Sequence, residues 1–266
     1  MRKLLPALII VIALLGIPSS LLAAEPVVRG DAAVLMNADG DLLWQKNGEA
    51  AMAPASLIKI LNILTAWPYL DPQAQVTVGP ACDSIYNGQM MEIDCGEIVE
   101  AQELLYAMLL WSANDAALAL AEYLVTDLDL YAALMDKKAW ALGAVHTTSV
   151  NVNGYSDPAQ LTSAYDLGVI AAAFLRDETL AAMAGEKSHR LTWVYPEKER
   201  EVGNINRFLY SYAGANGLKT GTTSLAGKCL IAGARRDGRQ LLAVTLNSSD
   251  RYGDCAAMLD YGFSLP

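Results

Sequence analysis

Three short strings follow one another along this chain: Ser56-Leu57-Ile58-Lys59, Ser112-Ala113-Asn114 and Lys219-Thr220-Gly221. In the first, a serine and a lysine stand three residues apart at the start of an apolar segment, so on a helix they share a face, one turn apart. Leu57, Ile58, Ile60 and Leu61 surround the lysine, and a helix without a polar side leaves its ammonium no path to water. Burial favours the neutral amine, which can take a proton from a neighbouring hydroxyl. The pair therefore suits nucleophilic acyl transfer, with Ser56 attacking a carbonyl and the helix N-terminus favouring the oxyanion. Alone, Ser56 would read as a helix cap, and Lys59 is what changes the reading.

The second and third strings are weaker when taken singly. Ser112 and Asn114 lie between two helical segments, where such residues commonly cap, and Ser149-Val150-Asn151 satisfies the same spacing. The first copy is preferred because a loop between buried helices can aim two side chains into a cleft. There Ser112 would relay a proton to a leaving amine, and Asn114 would hydrogen-bond Lys59 or the substrate backbone. Lys219-Thr220-Gly221 falls on an expected strand, and Gly221 leaves room for another backbone, as an edge strand binding an extended peptide would need. The amide of Thr222 would then be a second oxyanion donor beside that of Ser56. A solvated edge lysine is the alternative for Lys219.

Positioning these groups requires a buried helix over Leu57 to Trp67, stopped by Pro68, and an antiparallel sheet. Ala32 to Met36 and Leu42 to Lys46 read as a hairpin around Asn37-Ala38-Asp39-Gly40. Short strands and loops are expected between Val76 and Ile98. Glu100 to Trp111, Asp115 to Val125, Leu128 to Leu142 and Ser163 to Leu175 are helix candidates. Gly217 to Thr222, Lys228 to Arg235 and Gln240 to Leu246 read as strands, the last two joined by a turn at Arg236-Asp237-Gly238-Arg239, and Gly253 to Tyr261 as a terminal helix. Strands at both ends around a helical middle predict an α+β fold whose first and last strands share one sheet.

The N-terminus begins with Arg2 and Lys3, continues with an apolar run from Leu4 to Ile17 and ends in small residues to Ala24, the layout of a secretory signal peptide. Residues 1–24 are therefore expected to be a signal segment and 25–266 one catalytic domain. The run is short for a span, and the alternative is a retained anchor, the one way the chain would meet a membrane. An exported protein, in periplasm or cell-wall space, is thus expected. The formal charge of −10 disfavours a nucleic-acid partner. Cys82 and Cys95 flank a polar loop that a local bridge could close, whereas Cys229 and Cys255 fit buried free thiols.

Together the strings resemble the low-molecular-mass penicillin-binding proteins, the serine D-alanyl-D-alanine carboxypeptidases. The resemblance extends to Ser112-Ala113-Asn114-Asp115-Ala116-Ala117, Asn151-Val152-Asn153-Gly154, Ser163-Ala164-Tyr165-Asp166-Leu167, Asn206-Arg207-Phe208-Leu209, Gly217 to Thr223 with Ala226-Gly227, and Leu259 to Phe263, in family order. It implies a penicillin-binding/β-lactamase-like fold with an antiparallel sheet, flanking helices and an inserted mainly helical subdomain. It makes Ser56 the acylated nucleophile, Lys59 the proton acceptor, Ser112 the third catalytic residue and Lys219 a substrate-binding residue. Arg251, with Thr220 or Thr223, would hold the substrate's terminal carboxylate, a task suited to a guanidinium. The implied substrate is the D-Ala-D-Ala end of peptidoglycan stem peptides, with β-lactams as covalent inhibitors and no metal or cofactor. Thr222 stands where several members carry His, a departure bearing on substrate preference. The second, β-rich domain and amphipathic C-terminal helix of many members have no counterpart before Pro266.

Two other readings compete. A class A-like β-lactamase needs a glutamate to activate the deacylating water, and no Glu occurs between Glu122 and Glu178. A non-catalytic wall-binding relative would be expected to have lost a motif residue, and none is lost. His146 and His189, the only histidines, lie in no G-x-S-x-G or H-E-x-x-H setting and are expected on surfaces or loops.

Overall fold

The structure, a computed structural model, describes residues 24–85 and 87–266. The expected signal segment lies, apart from Ala24, outside the described residues. Among them no helix is long and apolar enough to cross a membrane.

Two sheets carry the architecture. The first is antiparallel and five-stranded, in the order β2 (Leu42–Lys46), β1 (Ala32–Asn37), β9 (Arg239–Leu246), β8 (Gly227–Arg236), β7 (Ala215–Thr223). As the sequence predicts, strands from both chain ends pair, with Val34 opposite Val244. β8 and β9 turn through Asp237 (φ 49°) and Gly238 (φ 79°), the left-handed pair that a tight hairpin needs. Period-2 alternation divides the sheet residues between two cores. Leu230, Ala232, Leu241 and Ala243 pack with the terminal helix α8 (Arg251–Ser264), while Cys229, Ile231, Leu242 and Val244 face the helical body.

In that body α1 (Lys59–Ala66) is buried along its whole length and is entered through a 3-10 turn, Ala55–Ile58. The expected helix from Leu57 to Trp67 is thus tightened at both ends, since a second 3-10 turn, Trp67–Tyr69, runs through Pro68. The expected helix from Glu100 to Trp111 is α2 (Ala101–Tyr106) continued by a π turn, Ala107–Trp111. Next come α3 (Asn114–Leu124), α4 (Leu128–Leu142) and α5 (Ala164–Leu175), the last capped by Ser163 Oγ, which accepts the Asp166 amide. α6 (Glu178–Gly185) and the single turn α7 (Phe208–Ser211) complete the helices.

The second sheet, β3 (Gln75–Thr77), β4 (Ile98–Glu100), β5 (Ser188–Tyr195) and β6 (Lys198–Gly203), was not anticipated beyond short strands near its start. The expected Cys82–Cys95 bridge is corrected: all four cysteines are free thiols. Cys82 instead bonds locally, its thiol donating to Gly79 O at 3.3 Å.

Candidate active site

A cleft of about 1080 Å³ lies where α1, the α2–α3 connection and edge strand β7 meet, with Ser56, Ser112, Asn114, Thr220, Thr222, Thr223 and Arg251 among its walls. Lys59 and Lys219 are buried immediately behind them.

Ser56 sits in the 3-10 turn, and Lys59, the first residue of α1, places Nζ 3.2 Å from its Oγ. Two backbones crowd this turn. A Cβ on Gly154 (φ +88°) would come within 2.1 Å of Ala55 O, and one on Gly221 within 3.1 Å of the Ser56 amide nitrogen. The room left by Gly221 is thus taken by the backbone of Ser56 in this chain, whereas the expectation was the backbone of a bound peptide. Ala55 takes φ 48°, a left-handed conformation costly for a residue with a Cβ, which fixes the direction of Ser56.

Lys59 is fully buried, and Nζ also donates to Asn114 Oδ1 at 2.8 Å and to the Asn153 carbonyl at 2.5 Å. Its pKa is held well below 10.5, first by burial and next by the nearby Lys219 charge, with Asp115 opposing. A neutral amine has two N–H donors and one lone pair. In that neutral form, which burial favours, Asn114 and Asn153 would take the donors and the lone pair would be left for the Ser56 hydroxyl.

The π turn positions Ser112, which takes a left-handed conformation (φ 67°, ψ 30°) and is buried in the cleft wall. It is anchored by the two residues that follow it. Ala113 N donates to Ala107 O at 3.0 Å, and Asn114 N donates to Gln89 O at 2.8 Å. Asp115 then accepts the amides of Met91 (2.8 Å), Glu92 (2.8 Å) and Ile93 (3.3 Å), which fixes the loop of Asn87 to Gln89 as the cleft's roof. Asn114 is thus the first residue of α3 rather than its cap, and its side chain is free to serve Lys59.

The competing copy does something else. Ser149 N donates to Asp136, and Asn151 Oδ1 accepts the Gly154 amide at 2.8 Å, shaping the turn that presents the Asn153 carbonyl to Lys59. Both histidines are away from the cleft. His146 stands beside Asp166, whereas His189 departs from the loop expectation: it lies in β5, stacks on Tyr106 at 3.6 Å and pairs with Glu103 at 3.1 Å.

Lys219 is not the solvated edge lysine offered as an alternative, because it is 1 % exposed and donates to Thr220 O at 3.0 Å. Burial and then the Arg251 charge bring its pKa down to about 7. Arg251 opens α8 and reaches back to β7, donating to Gly221 O (3.0 Å), Thr222 Oγ1 (2.9 Å) and Cys229 O (3.2 Å). Thr223 Oγ1 accepts the Ala226 amide at 3.0 Å, so its hydroxyl is engaged in the β7–β8 turn. Among the described residues no group of three or more His, Cys, Asp or Glu could hold a metal ion.

Sequence reasoning gave no role to the Asn153 carbonyl or to Gly154, although both fall in a string already noted for its resemblance. It also passed over Tyr155, whose hydroxyl donates to Asn87 O at 2.6 Å and joins that loop to the roof.

Comparison with known proteins identifies the family and the fold. A family profile described as D-alanyl-D-alanine carboxypeptidase matches residues 20–250. The chain is 30% identical over 280 residues to D-alanyl-D-alanine carboxypeptidase DacF of Bacillus subtilis, covering 99% of this chain and 72% of that one. It is 32% identical over 253 residues to DacB2 of Mycobacterium tuberculosis, covering 90% and 85%. Among solved structures, a D-alanyl-D-alanine carboxypeptidase from M. tuberculosis superposes with TM-score 0.84 at 29% identity, covering 91% of this chain and 94% of that one. A cysteine-to-alanine mutant of the Streptomyces K15 DD-transpeptidase gives TM-score 0.86 at 26% identity, covering 91% and 100%. The fold is that of penicillin-binding proteins, and the chain belongs to the D-alanyl-D-alanine carboxypeptidase family of serine peptidases.

Proposed function

We propose that this carboxypeptidase is exported, trims the D-Ala-D-Ala ends of peptidoglycan stem peptides, and works through an acyl-enzyme on Ser56. The observation that carries the reading is the fully buried Lys59 Nζ, 3.2 Å from Ser56 Oγ and within hydrogen-bond reach of two further acceptors, Asn114 Oδ1 and the Asn153 carbonyl. The Ser56 hydroxyl donates into the remaining lone pair, and Oγ attacks the penultimate D-alanine carbonyl as its proton passes to Nζ. The Ser56 and Thr222 amides are the oxyanion donors in this scheme. Lys219 and Arg251, with Thr220, meet the terminal carboxylate. Ser112 carries a proton to the departing amine, and water then hydrolyses the ester.

A β-lactam enters the same first step and remains as a slowly hydrolysed adduct. Among the described residues lining the cleft, Asp250 is the one carboxylate, and it is engaged by Arg29 at 2.9 Å, so the deacylating water has no carboxylate base of the class A kind. The motif residues are all retained around one cleft, which disfavours a non-catalytic role.

The test is D-alanine release from a pentapeptide ending in D-Ala-D-Ala. Wild type should release one equivalent per peptide and Ser56→Ala none; release by Ser56→Ala at the wild-type rate would refute the reading.

A further inference from the structure

The chain is acidic, with a formal charge of −10, yet the charged groups lining its cleft are mostly cationic: Arg207, Lys228 and Arg251 against Asp250. Asp250 is engaged by Arg29 and caps α8 through the Gly253 amide. Arg251 is bonded to backbone carbonyls and the Thr222 hydroxyl, none of which neutralises it. The Lys228 ammonium is exposed and has neither a hydrogen bond nor an ion pair among the described residues.

Its position is specific. Lys228 lies directly opposite Thr222 across the β7–β8 pair, so the two side chains leave the same face of the sheet as neighbours. Arg251 reaches that face through Thr222 Oγ1, whereas Lys219, three residues earlier on β7 and paired with Ile231, points to the opposite face, toward the helical body. Two cations, Arg251 and Lys228, thus stand on one face at the C-terminal end of the edge strand, and the one carboxylate lining the cleft, Asp250, is already engaged by Arg29. One carboxylate, that of the terminal D-alanine, answers Lys219 and Arg251. Lys228 stands farther along the strand, beside Thr222. A peptide added to an edge strand sends successive side chains to alternate faces, and the residue next to the acylated alanine is the first that can extend toward it.

We propose that Lys228 binds a second carboxylate, carried by the side chain of the residue preceding D-Ala-D-Ala, and so selects donor peptides with a diacid at that position over those with an amide or an amine. This rests on the carboxypeptidase reading above. No covalent step is added; the effect is on binding of the donor.

The experiment measures kcat/KM for three N-acetylated tripeptides, X-D-Ala-D-Ala, where X is 2-aminopimelic acid, its side-chain amide, or lysine. The ratio between donors is the readout, so a general loss of activity does not mimic the result. Wild type should favour the diacid over its amide by about fivefold, the upper range for a solvent-accessible ion pair, with the preference shrinking as salt is raised. Lys228→Met should bring the ratio to about one, and Lys228→Glu should turn the preference toward the lysine donor. A wild-type ratio of one, or a preference that survives in Lys228→Met because Arg207 or another group reads the carboxylate, overturns the proposal. Equal turnover of all three donors leaves the carboxypeptidase reading standing and refutes only this one, whereas no D-alanine release from any of them removes both.

Discussion

Replacing Lys219 by Met should make the protein's stability respond differently to pH, by an amount that follows from how deeply the amine is buried. Its pKa falls from 10.5 in the open chain to about 7 in the folded protein, because burial and the Arg251 charge both disfavour the ammonium. Between those values the unfolded chain holds a proton that the folded one does not, so wild-type stability rises with pH across that window. One pH unit of such displacement corresponds to about 1.4 kcal/mol. Relative to an uncharged side chain, the lysine therefore costs about 4 kcal/mol at pH 7. By pH 9 the folded amine is already neutral, and the remaining cost, that of deprotonating the free chain, is about 2 kcal/mol. Urea unfolding of wild type and Lys219→Met at pH 7, 8 and 9 measures the difference directly, since other titrating groups largely cancel between the two proteins. The wild type should gain about 2 kcal/mol on the variant between pH 7 and pH 9. A gap that stays constant, or moves the other way, would show that Lys219 is solvated and refute the burial that lowers its pKa.

Two further predictions concern the cleft's framework and the thiols. Gly154→Ala would put a methyl 2.1 Å from Ala55 O at φ +88°, forcing the 3-10 turn outward. A displacement of about 1 Å at the nucleophile is expected to slow β-lactam acylation about 100-fold, and acylation within twofold of wild type would contradict the packing. Alkylation of the native protein should label Cys95 alone, because Cys82, Cys229 and Cys255 are buried and burial pushes the Cys82 thiol up to about 12. Urea should release the other three; rapid labelling of more than one thiol in the native state would count against this burial.

The parts of the fold that could be read ahead were those with a hydrophobic period or a turn signature. α4 starts and stops where its sequence predicts, between Asp127 as cap and Gly143 in the left-handed conformation. The β8–β9 hairpin was equally plain. The second sheet was hidden because β3 and β4 have three residues each, β6 is mostly charged, and in β5 the alternation is confined to Leu191 and Trp193. In the site, Ser56 and Lys59 were legible because a lysine enclosed by apolar neighbours needs a physical reason. The carbonyl of Asn153 was not, since a backbone acceptor carries no residue-type signal. Nor could the left-handed Ser112 be foreseen, because the π turn it ends is a rare irregularity with no marker in local propensity. The Cys82–Cys95 expectation failed because loop composition fixes neither the separation nor the direction of two thiols.

The central claim is that a neutral, buried Lys59 activates Ser56. Its most direct test is the mass of the protein after brief exposure to benzylpenicillin, followed by peptide mapping, for wild type and Lys59→Met. The account predicts a single, slowly lost penicilloyl adduct on Ser56 in wild type and none in a folded Lys59→Met. Acylation of Lys59→Met at the wild-type rate, or an adduct on any other residue, would contradict it.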